Sequence, residues 1–182
     1  LEAAPGDLSD ISSVASFFIS RVDVEIDRRL DEIGTKEALA LKGKAAVANG
    51  KLAYELFRQT FAGPRWEALV ERGARVQRPL WASTSTKNPN YPDTLYVDEL
   101  IGPDTVNTLP DNTLEAFEHR GTVARTVDEG VQEAHAVIEA LAGLGIHMDE
   151  VTQKLEDEGV AAFEKSFDEL LLALGEKAAG LA

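Results

Sequence analysis

Residues 13–20 read SVASFFIS, a short apolar run with little alternation between polar and apolar positions. Such a run is typical of a strand that is covered on both faces in a parallel sheet. We therefore predict a first strand over residues 12–20.

Further along, apolar residues recur at steps of three and four from Thr35, an N-cap residue type, to about Ala62. This pattern predicts one helix, which a glycine-proline pair closes.

Two more short stretches predict the second and third strands. Residues 76–83 (VQRPLWAS) precede a polar loop, and residues 104–109 (DTVNTL) precede a proline. Pro79 counts against the second strand, because proline cannot donate a ladder hydrogen bond. A shorter helix is expected around Trp66, with its end near Gly73.

The C-terminal third of the chain has two helical patterns. Thr126 and Glu129 lie three residues apart as in a capping box, which predicts a helix that starts there and ends in the 143–145 region. A long amphipathic helix follows. Its apolar stripe contains Val160, Phe163, Phe167, Leu170 and Leu174.

Strands that alternate with helices, each strand followed by a polar loop, indicate a parallel β/α fold. A closed (β/α)8 barrel needs eight such units and roughly 250 residues. We therefore expect a partial barrel: an α/β, helix-rich chain with about the last three β/α units plus C-terminal helices. Residues 1–182 would form the C-terminal part of one barrel domain whose N-terminal strands are absent, since the opening LEAAPGD resembles a helix tail that enters a loop.

The composition excludes several classes of function. The formal net charge of −14 repels nucleic acid and anionic membrane surfaces, and no apolar run approaches the ~20 residues that span a bilayer. The absence of cysteine excludes thiolate chemistry and fits a reducing cytoplasm. His119, His135 and His147 have no metal-ligand spacing, so no metal site is expected.

In β/α barrels, functional groups lie at the carboxyl ends of the strands and in the loops that follow, which selects Ser16 and Arg21 from the first strand and its end, and Ser83 and Lys87 from the end of the second. Both groups also have simpler interpretations. Arg21 could pair with Asp23 or Glu25 at a helix start, and the loop STSTKNP could be a solvated turn. Asn107, in a buried strand, is expected to form structural hydrogen bonds.

Several stretches resemble the transaldolase family. Residues 13–30 (SVASFFISRVDVEIDRRL) are similar to the sixth-strand region, where a Ser followed five residues later by an Arg grips the substrate phosphate. RPLWAST (78–84) and GPDTVNTLP (102–110) resemble the seventh- and eighth-strand region of the longer bacterial transaldolases. GVAAFEKSFDELL (159–171) resembles their C-terminal helix.

This resemblance implies that Ser16 and Arg21 bind the phosphate of a sugar-phosphate substrate, with Phe18, Ser83 and Lys87 as candidate substrate contacts. The implied reaction transfers a dihydroxyacetone unit from sedoheptulose 7-phosphate to glyceraldehyde 3-phosphate through a lysine Schiff base, without a cofactor or metal. In the family that lysine lies on an earlier strand, which places it upstream of Leu1. The implied partner is the N-terminal half of the same barrel.

Two alternatives remain at this point. The amphipathic segments 36–62 and 147–174 could build a non-catalytic helical interaction protein. A different Schiff-base aldolase could use Lys87. An amine must lose its proton before it attacks a carbonyl, which requires desolvation or a neighbouring cation, and the polar loop around Lys87 supplies neither.

Overall fold

The computed structural model describes residues 1–180 and has eight helices and three strands over that range. In chain order they are β1 (Val14–Phe18), α1 (Ser20–Ile33), α2 (Lys36–Leu39), α3 (Ala45–Thr60), α4 (Pro64–Val70), β2 (Arg78–Ala82), α5 (Leu95–Asp98), β3 (Val106–Asn107), α6 (Asp111–Arg120), α7 (Val131–Gly143) and α8 (Met148–Ala179).

The three strands form one parallel sheet in the order β1-β2-β3. Ser16 pairs with Leu80 across β1 and β2, and Leu80 pairs in turn with Val106 of β3. All three predicted strands are confirmed, and β2 accommodates Pro79. The burial of β1 was predicted wrongly: Val14 is 47% exposed and Phe18 38% exposed, because β1 lies at the edge of the described sheet.

Three helices, α1, α5 and α6, were missed, and one predicted helix is broken. α1 begins directly after β1 and packs Val22, Ile26 and Leu30 into the core at steps of four residues. α6 follows β3 with only three residues between them. The helix predicted from Thr35 is interrupted between α2 and α3, although Thr35 does cap α2, since its Oγ1 accepts a hydrogen bond from the Ala38 amide at 3.2 Å.

The capping box at Thr126 is wrong. The Thr126 hydroxyl donates to the carbonyl of Asp98 at 2.6 Å and accepts from the amide of Ile101 at 3.3 Å. This threonine therefore fastens the loop before α7 to the end of α5. The helix begins at Val131, after a left-handed Gly130 (φ 64°). A glycine that tolerates positive φ sets the helix start here.

The long C-terminal helix α8 is confirmed, but only its first half is well packed. Val151 is buried, Lys154 lies 3.3 Å from Glu25, and Arg29 lies 3.8 Å from Glu150. The predicted apolar stripe from Val160 onward is exposed to solvent in the described chain. None of the described helices is long and apolar enough to cross a membrane.

Candidate functional site

A cleft of about 330 Å³ opens between β1, the start of α1 and α8. Ser16 and Phe18 line it from β1, where their spacing of two residues puts both side chains on the same face. Arg21 lines it from the first turn of α1. Three of the residues selected from the sequence are therefore brought together at the carboxyl end of a parallel strand.

Arg21 forms no ion pair within residues 1–180. Asp23 accepts hydrogen bonds from the Ala46 amide and from Tyr96, while Glu25 accepts from the guanidinium groups of two other arginines. The alternative in which Arg21 pairs with Asp23 or Glu25 is therefore wrong. The carbon at the centre of the Arg21 guanidinium lies 4.8 Å from the centroid of the Phe18 ring instead. This cation–π contact leaves the N–H donors available for an anion.

Helix α8 closes the cleft opposite β1. Its wall includes Thr152, Glu156 and Gly159. A Cβ atom added at Gly159 would lie 3.8 Å from a terminal nitrogen of Arg21, so the helix passes close to the guanidinium at a residue without a side chain. Asn49 of α3 also lines this cleft and was not selected from the sequence.

Lys87 does not belong to this cleft. It is exposed and lines a second cleft of about 570 Å³ along α1, together with Asn88, Tyr91, Asp23 and Asp27. The interpretation of the STSTKNP loop (83–89) as a solvated turn is wrong at Thr84, which is buried and whose hydroxyl donates to the Asn107 side chain.

Ser83 directly follows β2 with a left-handed backbone (φ 55°), and its carbonyl accepts a hydrogen bond from the Ser20 amide at 3.0 Å. Ser83 lines neither cleft.

The structural interpretation of Asn107 is confirmed. Its Oδ1 accepts a hydrogen bond from the Thr84 hydroxyl at 2.9 Å, which joins the ends of β2 and β3.

Comparison with known protein families assigns the chain. The family model described as Transaldolase/Fructose-6-phosphate aldolase matches residues 1–174. The chain belongs to this family. It is 55% identical over 176 residues to a transaldolase of Parafrankia sp., which covers 96% of this chain and 48% of that protein. It is 56% identical over 174 residues to Transaldolase 1 of Streptomyces avermitilis, which covers 95% of this chain and 46% of that protein.

This member of the transaldolase family spans about half the length of the curated relatives it matches. The same holds for a transaldolase of Frankia alni, with 55% identity over 166 residues, 91% of this chain and 45% of that protein. The family match extends into α8, so it includes all the residues that line both clefts.

The electrostatics of the transaldolase-family chain centre on two carboxylates of α1. Burial raises the pKa of Asp23 to about 6, against the lowering effect of the Ala46 amide and the Tyr96 hydroxyl. Hydrogen bonds from Arg28, together with those from Arg29 and Lys154, lower the pKa of Glu25 to about 2 despite its burial. Glu25 is thus a charged anchor between α1 and α8, whereas Asp23 changes charge near pH 6.

Sequence reasoning missed the buried pair Asp23 and Asp27. A signal was present, because Val22, Ile26 and Leu30 define the apolar face of α1 and two aspartates at a spacing of four lie directly beside it. Carboxylates at such positions need hydrogen-bond donors. No group of three or more His, Asp or Glu side chains that could hold a metal ion occurs within residues 1–180.

Proposed function

We propose that this chain is the phosphate-binding part of a transaldolase, which transfers a dihydroxyacetone unit from sedoheptulose 7-phosphate to glyceraldehyde 3-phosphate. The observation that carries the proposal is Arg21: an arginine without an ion pair in the described chain, at the carboxyl end of a parallel strand, in a cleft that it shares with Ser16. A guanidinium presents its donors as a planar fork that matches phosphate oxygens. The relatives that are 55–56% identical are named transaldolases.

In this proposal Arg21 and Ser16 bind the terminal phosphate of the sugar, and the Phe18 ring holds the guanidinium in place through its face. Lys87 and Ser83 remain proposed substrate contacts at the end of β2. No cofactor takes part. Because the three strands span only part of a (β/α)8 barrel, we propose that residues 1–182 are the last three β/α units and that the N-terminal half of the same barrel completes the site. The reaction would take place in the cytoplasm.

The Schiff-base lysine belongs, in this proposal, to the N-terminal half and not to this chain. Lys87 is exposed on a polar loop, so the desolvation that an amine nucleophile needs is missing there. Residues of a catalytic set act as a unit, so this chain alone should not turn over substrate. The family assignment also removes the reason to treat the chain as a non-catalytic helical interaction protein.

The proposal can be tested with a chimera. The part of the Streptomyces avermitilis transaldolase that this chain does not match is joined to residues 1–182, and transfer from sedoheptulose 7-phosphate is measured. Trapping with fructose 6-phosphate and borohydride then locates the Schiff base by mass spectrometry. We expect turnover by the chimera and an adduct outside this chain. An inactive but folded chimera, or an adduct at Lys87, would refute the proposal.

A further inference from the structure

The two tyrosines that follow the Lys87 loop both donate hydrogen bonds to carboxylates of α1. The Tyr91 hydroxyl donates to Asp27, and the Tyr96 hydroxyl donates to Asp23 at 2.8 Å. Asp23 and Asp27 lie one helical turn apart, so they occupy the same face of α1. The segment after Lys87 is therefore fastened to α1 at two points.

The carboxylates themselves are held by one backbone amide of the α2–α3 connection and one of the first turn of α3. The Gly43 amide donates to Asp27 at 3.0 Å, and the Ala46 amide donates to Asp23 at 2.8 Å. Ala46 lies in the first turn of α3, whose N-cap residue Lys44 supplies no side-chain cap. Asp23 therefore caps α3 from a different helix. Each carboxylate accepts on both oxygens and cannot rotate without breaking a contact.

Tyr91 is also fixed by its ring. A Cβ atom added at Gly43 would lie 2.8 Å from the Tyr91 Cζ, so the ring packs directly over the glycine backbone. Burial and the Asp27 carboxylate raise the pKa of Tyr91 well above its usual range, so the phenol keeps its proton and donates it. Ring and hydroxyl together hold Tyr91 in one place.

The position of Tyr91 is transmitted to Lys87 through a closed turn. The Tyr91 amide donates to the Asn88 carbonyl at 3.1 Å, and the Asn90 amide donates to the Asn88 side-chain oxygen at 3.0 Å. Lys87 directly precedes this turn. Release of Tyr91 would therefore free the Lys87 backbone as well.

We propose that Asp27 and Tyr91 are positioning residues, which fix Lys87 relative to Arg21 because Asp27 and Arg21 belong to the same helix. Lys87 and the phosphate-binding Arg21 line different clefts. Helix α1 links them, because it carries Arg21 and because its Asp27 binds Tyr91, which holds the turn next to Lys87. The effect of this positioning of Lys87 on substrate binding rests on the proposed function. Since Lys87 is a substrate contact in that proposal and not the nucleophile, loss of the clamp should weaken binding more than chemistry.

The test compares Tyr91→Phe with wild type in the chimera. Hydrogen–deuterium exchange of residues 84–94 should speed up, because Phe keeps the ring and removes only the bond to Asp27. The KM for fructose 6-phosphate should rise by up to about tenfold, the lower end expected for one lost hydrogen bond to a charged group, because Lys87 is displaced but not removed, with a smaller change in kcat. Asp27→Asn should act in the same direction.

Asp31→Asn is the matched control. Asp31 lies one turn beyond Asp27 on the same helix and lines the same cleft, and its carboxylate hydrogen-bonds only to Lys42 among the described residues. Unchanged exchange in Tyr91→Phe would overturn the clamp. Faster exchange with a KM no higher than that of Asp31→Asn would overturn its role in substrate binding. A wild-type chimera without turnover would refute the proposed function instead, and the exchange measurement would still decide the clamp.

Discussion

Replacement of Arg21 by alanine separates substrate binding from structural support. Because Arg21 has no ion pair within residues 1–180, its removal costs the fold mainly the contact with the Phe18 ring and the packing beside Gly159. An exposed cation–π contact contributes about 0.5–1 kcal/mol. The free energy of unfolding should therefore change by less than about 1 kcal/mol.

The effect on the reaction should be larger. Hydrogen bonds to a charged group contribute about 1.5–3 kcal/mol, so loss of the guanidinium fork should lower kcat/KM by roughly tenfold to a few hundredfold for phosphorylated donors. Arg21→Lys should recover only part of this, because an ammonium cannot bind two phosphate oxygens as a planar fork. Unphosphorylated fructose or dihydroxyacetone should be affected much less.

Arg28→Ala provides the matched control on the same helix. Arg28 binds Glu25 at 2.9 Å and Glu32 at 2.5 Å and does not line the Arg21 cleft. We expect this variant to lower stability and leave the discrimination between phosphorylated and unphosphorylated donors unchanged. Steady-state kinetics of the chimera with both donor classes, and urea unfolding of each variant, measure the two effects. Equal losses on both donor classes for Arg21→Ala in a folded protein would refute the assignment.

Three further outcomes are expected. Asp23 has a folded-state pKa of about 6, above the ordinary 3.8, so its contribution is complete below about pH 4 and about 1–3 kcal/mol is lost as the pH rises through 6; urea unfolding of Asp23→Asn should lack this decline. Gly43→Ala should lower the free energy of unfolding by about 2–4 kcal/mol, since the methyl meets Tyr91 at φ 73°, whereas Gly145→Ala, at φ 81° in open space, should lose only about 1–2 kcal/mol. Borohydride trapping of the isolated chain with fructose 6-phosphate should leave Lys87 unmodified, and a stable adduct there would show that it is the nucleophile.

The strands were predictable because each leaves a short stretch of strand-like sequence between turn or loop residues, whether or not the strand is buried in the described chain. Residues 12–20, 76–83 and 104–109 are apolar runs bounded by polar or proline-containing loops, and each contains a strand. Helix α1 was not predicted, because the polar Asp23 and Asp27 interrupt its apolar pattern. These aspartates can be buried because groups in residues 43–46 and 91–96 donate hydrogen bonds to them. No local sequence pattern reveals these donors.

Helix boundaries failed where tertiary hydrogen bonds outweighed local capping. Thr126 and Glu129 have the right spacing for a capping box, but the Thr126 hydroxyl donates instead to the carbonyl of Asp98 at the end of α5. The cap of α3 comes from Asp23, far away in sequence, so Lys44 shows no signal at all. For the site, five residues were selected, and the structure places Ser16, Phe18 and Arg21 in one cleft but Ser83 and Lys87 outside it. The separation of Lys87 from this cleft could not be predicted, because α1, which lines both clefts, was not predicted from the sequence.

The exposure of β1 supports the proposal that another part of the protein pairs with it. Parallel strands in β/α proteins are covered on both faces, and an edge strand presents unpaired amide and carbonyl groups. β1 instead exposes Val14 and Phe18, although its sequence has the near-continuous apolar character of a central strand. A strand added along this edge would cover these side chains and complete the wall beside Ser16. The sequence of β1 thus fits the interior of a larger parallel sheet better than the edge that it forms among the described residues.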